Sequence, residues 1–157
     1  MNSNNTSSGS WNSSARRAWC NGGFRQALPS TLRSAFKQFN CVTAQTYNGT
    51  TNQTTQDYFA LPAAAEVYKG DSTYGTGGSA GQRTAYSNLT EFNALTAFTY
   101  YETSANRIKN VNGTAFVWWE RSPFYDNSRL FCRVDPDGTA NGDYASYTYG
   151  LAPFGCL

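Results

Sequence analysis

Hydrophobic residues in the first third of the chain recur with a helical period. Ser13 or Ser14 can cap a first helix, and the Asn-Gly-Gly sequence at 21–23 is expected to end it. Pro29 suits the first turn of a second helix over 30–39, because the N–H that proline lacks would have no helical partner there. Apolar residues at i, i+3, i+4 and i+7 predict one buried face for this second helix. That face would consist of Leu32, Ala35, Phe36 and Phe39.

Alternating and short apolar stretches follow. Residues 41–47 alternate and are rich in β-branched side chains, which predicts a strand, and the Thr/Asn/Gln run after Asn48-Gly49 predicts a loop. A short buried strand is expected over 57–61, and a short helix over 62–68.

The middle of the chain predicts a loop and a further helix. Residues 70–83 contain five glycines and few apolar side chains, which is typical of a long surface loop. No Lys-Ser/Thr pair follows these glycines, so a phosphate-binding loop is not expected. Residues 91–101 carry Phe92, Leu95 and Phe98 at helical spacing.

The last third predicts short strands. Asn112-Gly113 supplies the positive φ that a tight hairpin turn needs between 107–111 and 115–119. Further strands are expected over 130–134 and 151–156, with a turn at 135–138. Helices followed by antiparallel strands and long loops predict an α+β domain.

Length and charge restrict the class of protein. A chain of 157 residues is long enough for one domain with its own core. The net charge is +2 and only 14% of residues are charged, so nucleic acid is not an expected partner. No apolar run is long enough for membrane insertion. We expect residues 1–10 to be a frayed polar linker and 11–157 to be the domain, and the abrupt start leaves open that the chain is a piece of a longer protein.

The side-chain inventory offers no catalytic constellation. The chain has no His, which removes the usual general base, and no enzymatic activity or cofactor is expected. Asp135 and Asp137 only partly match a calcium loop, because the later ligands are missing, and no metal site is predicted. The four cysteines lack a CxxC pair and can form two disulfides or remain thiols; we favour buried thiols. Those cysteines are Cys20, Cys41, Cys132 and Cys156.

The composition changes at Arg121. The last 37 residues contain no Lys, Gln, Glu, Met, Trp, Ile or His. The first five of these types make up roughly a fifth of average composition, so chance is a poor explanation. Randomising the adenines of AAC codons would give codons that end in C, and such codons cannot encode Lys, Gln, Glu, Met or Trp. The alternative is a set of Gly/Asp/Tyr-rich loops whose composition simply suits turns.

Six short motifs between Trp11 and Leu157 carry a family resemblance. They lie at Trp11–Arg16, Ala27–Pro29, Asn106–Lys109, Trp118–Pro123, Phe131–Val134 and Gly150–Pro153. With these motifs the chain resembles DUF6273 C-terminal domains of gut-bacterial and phage proteins and the variable proteins of diversity-generating retroelements. This resemblance implies a C-type-lectin fold related to formylglycine-generating enzymes, although their active-site cysteine motif is not found. Glu120 replaces the leucine of the usual Trp-Trp-Leu-Arg-Ser-Pro motif, and we expect it to be exposed or paired with Arg121.

A scaffold of this kind tolerates variation only where changed side chains are exposed and their loops are fixed at both ends. Trp118 and Trp119 are expected to anchor one end, with Arg133 pointing outward from an otherwise buried strand. Ala140, Ala145 and Ser146 are expected to be small spacers. The predicted ligand-binding residues are Phe124, Tyr125, Asp126, Asn127, Arg129, Leu130, Arg133, Asp135, Asp137, Asn141, Asp143, Tyr144, Tyr147 and Tyr149. One or two of the tyrosines are expected to serve packing instead.

The resemblance and the codon bias together predict a hypervariable receptor-recognition domain, displayed on a phage tail or a bacterial surface. Its partner would be a protein or glycan on a bacterial surface, and the oligomeric state, a homo-oligomer included, stays open. The alternative function is a lectin-like cell-surface module of fixed specificity.

Overall fold

The computed structural model describes residues 1–70 and 87–157, which form the predicted α+β arrangement. The helices are α1 (Ala15–Trp19), α2 (Arg25–Ala27), α3 (Ser30–Ala35), α4 (Ala64–Tyr68) and α5 (Glu91–Ala94), with 3-10 turns at Thr99–Glu102 and Ser104–Arg107. The strands are β1 (Phe39–Ala44), β2 (Asn52–Asp57), β3 (Phe59–Ala60), β4 (Lys109–Val111), β5 (Thr114–Phe116), β6 (Trp118–Pro123), β7 (Leu130–Val134), β8 (Ala140–Tyr144), β9 (Gly150–Leu151) and β10 (Phe154–Gly155). Except for Gly70, the predicted glycine-rich loop lies outside the described residues.

The strands form small sheets. Within the described residues, β1 pairs with β2, β3 with β10, and β4 with β5, while a four-stranded sheet has the order β8-β7-β6-β9. All of these pairs are antiparallel except β6 with β9, which run parallel. None of the described helices is long and apolar enough to cross a membrane.

The first helix begins as predicted but does not end at 21–23. Ser14 Oγ accepts a hydrogen bond from the Arg17 N–H at 3.0 Å, which is the expected cap. A π-helical turn, Cys20–Phe24, then joins α1 to α2. Asn21 explains the continuation, because its side chain accepts from the Tyr58 N–H at 2.7 Å and donates to the Phe59 carbonyl at 3.0 Å. The predicted stop is therefore wrong.

The second helix is shorter than predicted, and its face is not buried. It ends at Ala35, and Leu32 is 42% exposed. Phe36 has extended backbone angles and packs on Phe59, with ring centroids 4.5 Å apart. Phe39 belongs to β1. The apolar residues at helical spacing therefore do not belong to one helix, because Leu32 and Ala35 lie in α3 whereas Phe39 lies in β1.

Two further elements differ from the sequence expectation. Residues 52–57 form β2 rather than a loop, because Thr55 and Asp57 turn inward while their neighbours stay exposed. The helix expected over 91–101 stops at Ala94, and the chain reaches Tyr101 through an extended stretch and a 3-10 turn. Asn112 (φ 51°) and Gly113 (φ 80°) do form the predicted hairpin turn.

The first ten residues pack against the domain instead of fraying. The side chains of Met1, Ser7 and Ser10 are buried. The backbone N–H of Asn2 donates to the Ala145 carbonyl at 2.8 Å, and that of Ser7 donates to the Ser128 carbonyl at 2.8 Å. Backbone hydrogen bonds help to hold this segment in place. Because backbone groups leave no signal in the composition, the polar side chains alone suggested a linker.

The core lies on both faces of the four-stranded sheet. Successive side chains of a strand point to opposite faces, so Trp118 and Trp119 enter different clusters. Trp118 (1% exposed) packs with Cys132 and Val134, and Trp119 (0% exposed) packs with Phe131. The predicted anchoring of both tryptophans is confirmed.

All four cysteines are free thiols. Cys20, Cys41 and Cys132 are buried, as expected, while Cys156 is exposed. Burial raises the pKa of Cys20 to about 12 and that of Cys41 to about 11, so both remain protonated at neutral pH.

The Arg-Ser pair of β6 holds four elements together. Arg121 donates to both carboxylate oxygens of Glu66, at 2.6 and 2.9 Å, and to the carbonyls of Leu61 and Val42, at 2.8 and 3.0 Å. Ser122 Oγ accepts from the Ala64 N–H at 2.9 Å and donates to a carboxylate oxygen of Glu91. These contacts join β6 to β1, α4 and α5.

Glu120 is neither exposed nor paired with Arg121. Its side chain is fully buried, and neither carboxylate oxygen has a hydrogen-bond partner among residues 1–70 and 87–157. Burial, with the nearby Glu91, raises the pKa of Glu120 well above its ordinary value. Arg121 turns to Glu66 instead, so the expectation for Glu120 is wrong.

Candidate ligand-binding surface

Strand register places several predicted ligand-binding side chains on one face of the four-stranded sheet. Trp119 is opposite Arg133, and Arg133 is opposite Asn141. Asp143 is opposite Phe131, two residues along β7 from Arg133. Cross-strand partners share a face, so Arg133, Asn141 and Asp143 lie beside Trp119 and Phe131 on the same face of the sheet.

Arg133 is the centre of a polar network on this face. It forms ion pairs with Asp135 and, at 3.5 Å, with Asp143. Asn141 Nδ2 donates to Asp135 Oδ2 at 2.9 Å, and the Tyr149 hydroxyl donates to Asp143 Oδ2 at 2.7 Å. The network therefore holds five of the predicted side chains in fixed relative positions.

Three tyrosines continue the surface from this network. Tyr149 packs against Trp119, with ring centroids 4.9 Å apart, and the Arg133 guanidinium lies 5.3 Å from the centre of the Tyr149 ring. Tyr147 contacts Tyr149 edge-on at 6.2 Å and Tyr144 at 5.7 Å. Tyr147 is the most open of them, at 47% exposed. Tyr149 is the tyrosine that also serves packing.

Arg129 completes the connected set, since its guanidinium lies 4.8 Å from the centre of the Tyr144 ring. We call these eight residues the Tyr/Arg surface: Arg129, Arg133, Asp135, Asn141, Asp143, Tyr144, Tyr147 and Tyr149.

Two of the predicted residues pack inward. Phe124 and Tyr125 are only partly exposed, and both contact the core cluster around Trp118. A Cβ atom on Gly142 would lie 2.1 Å from the Phe124 ring, so this ring covers the glycine closely. Phe124 and Tyr125 are thus placed differently from the eight residues of the Tyr/Arg surface.

The remaining four predicted residues lie on flanking turns and at a strand end. Asp126 is exposed with φ 60°, and its N–H donates to the Tyr47 carbonyl at 2.9 Å. Asn127 Oδ1 accepts from the Arg129 N–H at 3.0 Å, and Leu130 is half-buried. Asp137 is exposed, and its pKa is lowered because Thr139 donates to its carboxylate.

The electrostatics of the surface follow from this network. Burial and the hydrogen bond to Asp143 raise the pKa of Tyr149 to about 12, so its hydroxyl remains a donor at neutral pH. No group of three or more His, Cys, Asp or Glu side chains within 1–70 and 87–157 is placed to hold a metal ion. The arrangement presents aromatic rings, an amide and paired charges, and side chains of these types are common in protein binding surfaces.

Sequence reasoning missed the first residues of the chain as part of this region. Asn5 Oδ1 accepts hydrogen bonds from the N–H and the hydroxyl of Ser146, and Asn2 contacts Ala145. The first residues are mostly Asn and Ser and show no hydrophobic periodicity, so the sequence contains no signal for these hydrogen bonds. Ala140 and Ala145, expected to be spacers, are buried in the core.

The fold and this surface together define an α+β domain with a partly exposed face rich in tyrosine and charged side chains. The family model for the domain of unknown function DUF6273 matches residues 1–157, and the chain belongs to this family. No curated protein and no solved structure matches the chain.

Proposed function

We propose that this chain is a hypervariable ligand-binding domain with a C-type-lectin-like fold, diversified by adenine mutagenesis from a diversity-generating retroelement. It is displayed on a phage tail or a bacterial surface and recognises a protein or glycan on a bacterial surface. The observation that carries the proposal is the Tyr/Arg surface. All eight of its side chains come from the 37-residue segment that lacks seven residue types.

The chemistry of the surface supports ligand recognition. Tyrosine gives a large contact area at low entropic cost, because its ring has only two rotatable angles, and Asp, Asn and Arg supply adaptable hydrogen bonds. Binding energy in protein interfaces is usually concentrated in a few aromatic and arginine side chains. Tyr147, Tyr144 and Arg129 are placed as such anchors, since they contact one another at the exposed end of the network.

The scaffold beneath the surface supports tolerance to variation. Trp119 and Phe131 are fully buried on the same face of the sheet as Arg133, and the hydrogen bonds from Arg121 to Glu66 and Leu61 fix β6 to the neighbouring elements. Arg129 and Tyr147 are exposed, and changes at exposed positions usually cost within about 0.5 kcal/mol each. A buried scaffold with exposed side chains at its edge is what repeated diversification requires.

A lectin-like module of fixed specificity is the second candidate, and the polar network favours it. Arg133, Asp135, Asn141, Asp143 and Tyr149 bind one another, so they form a matched set that independent mutation would disrupt. In a module of fixed specificity, this set would be constant among copies of the gene.

Sequencing the gene and its neighbourhood tests the proposal. The expected result is a nearly identical repeat with AAC codons beside a reverse-transcriptase gene, with differences at template adenines only. Those differences should fall on codons of the Tyr/Arg surface and of the flanking turns. If there is no repeat, or if the differences fall on the codons of Phe131 and Val134, the retroelement proposal is wrong and the fixed module is favoured.

A further inference from the structure

Two loops carry the exposed end of the Tyr/Arg surface. The 124–129 loop follows β6, and the 145–149 loop follows β8. A single backbone bond joins them, from the Ala145 N–H to the Arg129 carbonyl at 3.0 Å. Loops of this kind need further support if a ligand is to meet a fixed geometry, because ordering them at binding costs affinity.

The first seven residues supply that support from outside the compositionally biased segment. The Asn2 N–H donates to the Ala145 carbonyl at 2.8 Å, and the Ser7 N–H donates to the Ser128 carbonyl at 2.8 Å. The Asn5 side chain accepts from the Ser146 N–H at 3.4 Å and also from the Ser146 hydroxyl. Both loops are therefore held by the same short stretch of chain.

This stretch is itself attached to the domain on its other side. Asn2 Oδ1 accepts from the Ala15 N–H at 3.3 Å, and Asn2 Nδ2 donates to the Thr6 carbonyl at 2.8 Å. The Ser7 side chain is buried, and just beyond the stretch the Gly9 carbonyl accepts from Gln53 Nε2 in β2 at 3.1 Å. The first seven residues thus connect α1 with the two loops.

We propose that residues 1–7 are a constant strap that fixes both loops, and that Asn5 is a positioning residue for ligand binding. This inference rests on the proposed function of the Tyr/Arg surface. The contacts of Asn2 and Ser7 use only backbone carbonyls of the loops, so side-chain variation at Ser128 leaves them intact. The strap thereby keeps one loop geometry while the displayed side chains change. Ala145, which is fully buried at the junction, must stay small.

Amide hydrogen exchange of the full chain tests the strap, with three variants. Asn5→Ala removes the acceptor for Ser146, and Asn5→Asp keeps an oxygen acceptor in place. Asn4→Ala is the matched control, because Asn4 is an exposed asparagine in the same segment, and its backbone carbonyl accepts from the Thr6 N–H within the strap rather than from a loop. Amides of β7 and the melting temperature report any general loss of stability.

We expect Asn5→Ala to speed exchange in residues 145–148 by about fivefold, the effect of losing one typical hydrogen bond. Exchange in β7 and the melting temperature should stay as in the parent, Asn4→Ala should match the parent, and Asn5→Asp should restore slow exchange. Parent-like exchange in Asn5→Ala would overturn the strap. Equal acceleration in the loops and in β7 would also overturn it, because it indicates general destabilisation. The measurement needs no ligand, so its outcome is independent of whether the proposed function holds.

Discussion

Among single residues, Gly142 limits how far the Tyr/Arg surface can vary. It lies between Asn141 and Asp143 in β8, and a Cβ atom there would lie 2.1 Å from the Phe124 ring. We expect Gly142→Ala to lower the free energy of unfolding by about 1–3 kcal/mol, because the packed ring must move. Gly22→Ala is the control, since a Cβ at Gly22 would meet no atom within 4 Å. Urea denaturation measures both, and equal stability of the two variants would contradict the packing role of Phe124.

Glu120 is the residue whose removal should stabilise the protein. Its carboxyl is buried without a hydrogen-bond partner in the part of the chain that the structure describes, so Glu120→Leu should raise the free energy of unfolding at neutral pH by about 1–3 kcal/mol. The folded protein holds the Glu120 proton more tightly than the unfolded chain does, because burial raises the folded-state pKa. Stability from this group is therefore fully present below the unfolded pKa of about 4.3 and is lost as pH rises toward the folded pKa.

Glu120→Gln tests this pH dependence directly. Between roughly pH 5 and pH 8, the parent should lose stability with rising pH more steeply than the variant does. Glu91, whose pKa is also raised by burial, remains in both proteins, and it lies close enough to raise the pKa of Glu120, so the difference between the two curves reports Glu120 together with its coupling to Glu91. Thermal melts across this range measure it, and parallel curves would show that the folded and unfolded states bind the Glu120 proton equally, which contradicts a raised folded-state pKa.

Among the elements, β6 is held by the ion pair between Arg121 and Glu66. Arg121→Met should lower the free energy of unfolding by about 3–5 kcal/mol, because it leaves the Glu66 carboxylate buried without its partner. The double variant Glu66→Gln, Arg121→Met should be no less stable than Arg121→Met alone, since the uncompensated charge is gone. Denaturant titrations of Arg121→Met, Glu66→Gln and the double variant measure the coupling. If the losses of the two single variants add up to the loss of the double variant, the pair is not coupled and β6 is held by other contacts.

Local signals predicted some elements correctly, and long-range pairing decided the others. The hairpin at Asn112-Gly113 was predictable because the turn chemistry is contained in two residues. β2 was not, since Thr55 and Asp57 become strand residues only when paired with Cys41 and Phe39 across the sheet. For the surface, Arg133 is less buried than its neighbours in β7, as predicted, but Phe131 on the same face is fully buried, so β7 does not have one core face and one display face. The ion pair between Arg133 and Asp143 and the contacts of the strap join residues from different elements, and the periodicity of a single segment carries no information about such contacts.

At the scale of the whole molecule, the residues proposed for recognition lie beside the buried core and at its edge. Trp119 and Phe131 are buried on the same face of the sheet as Arg133, and Tyr149 packs against Trp119. The strap adds support from the opposite end of the chain. We expect a domain organised in this way to keep its fold while exposed side chains such as Arg129 and Tyr147 change.

A displayed library tests this central claim most directly. One library would carry C-ending codons at all eight positions of the Tyr/Arg surface. The matched control would carry the same codons at eight exposed positions scattered over other elements. Those control positions are Ser34, Gln38, Asn48, Thr54, Asn93, Thr103, Asn110 and Thr114. Protease resistance reports folding, and sorting against one purified test protein reports binding.

We expect most members of the control library to resist protease like the parent, because exposed substitutions usually cost within about 0.5 kcal/mol each. In the Tyr/Arg library only Arg129 and Tyr147 are exposed positions, so we expect a smaller share, though still most members, to resist protease. Binders to the test protein should come from the Tyr/Arg library and be rare in the control, since only the former changes one connected surface. If most members of the Tyr/Arg library unfold, or if its binders are no more frequent than those of the control, this surface is not the site of variable ligand recognition.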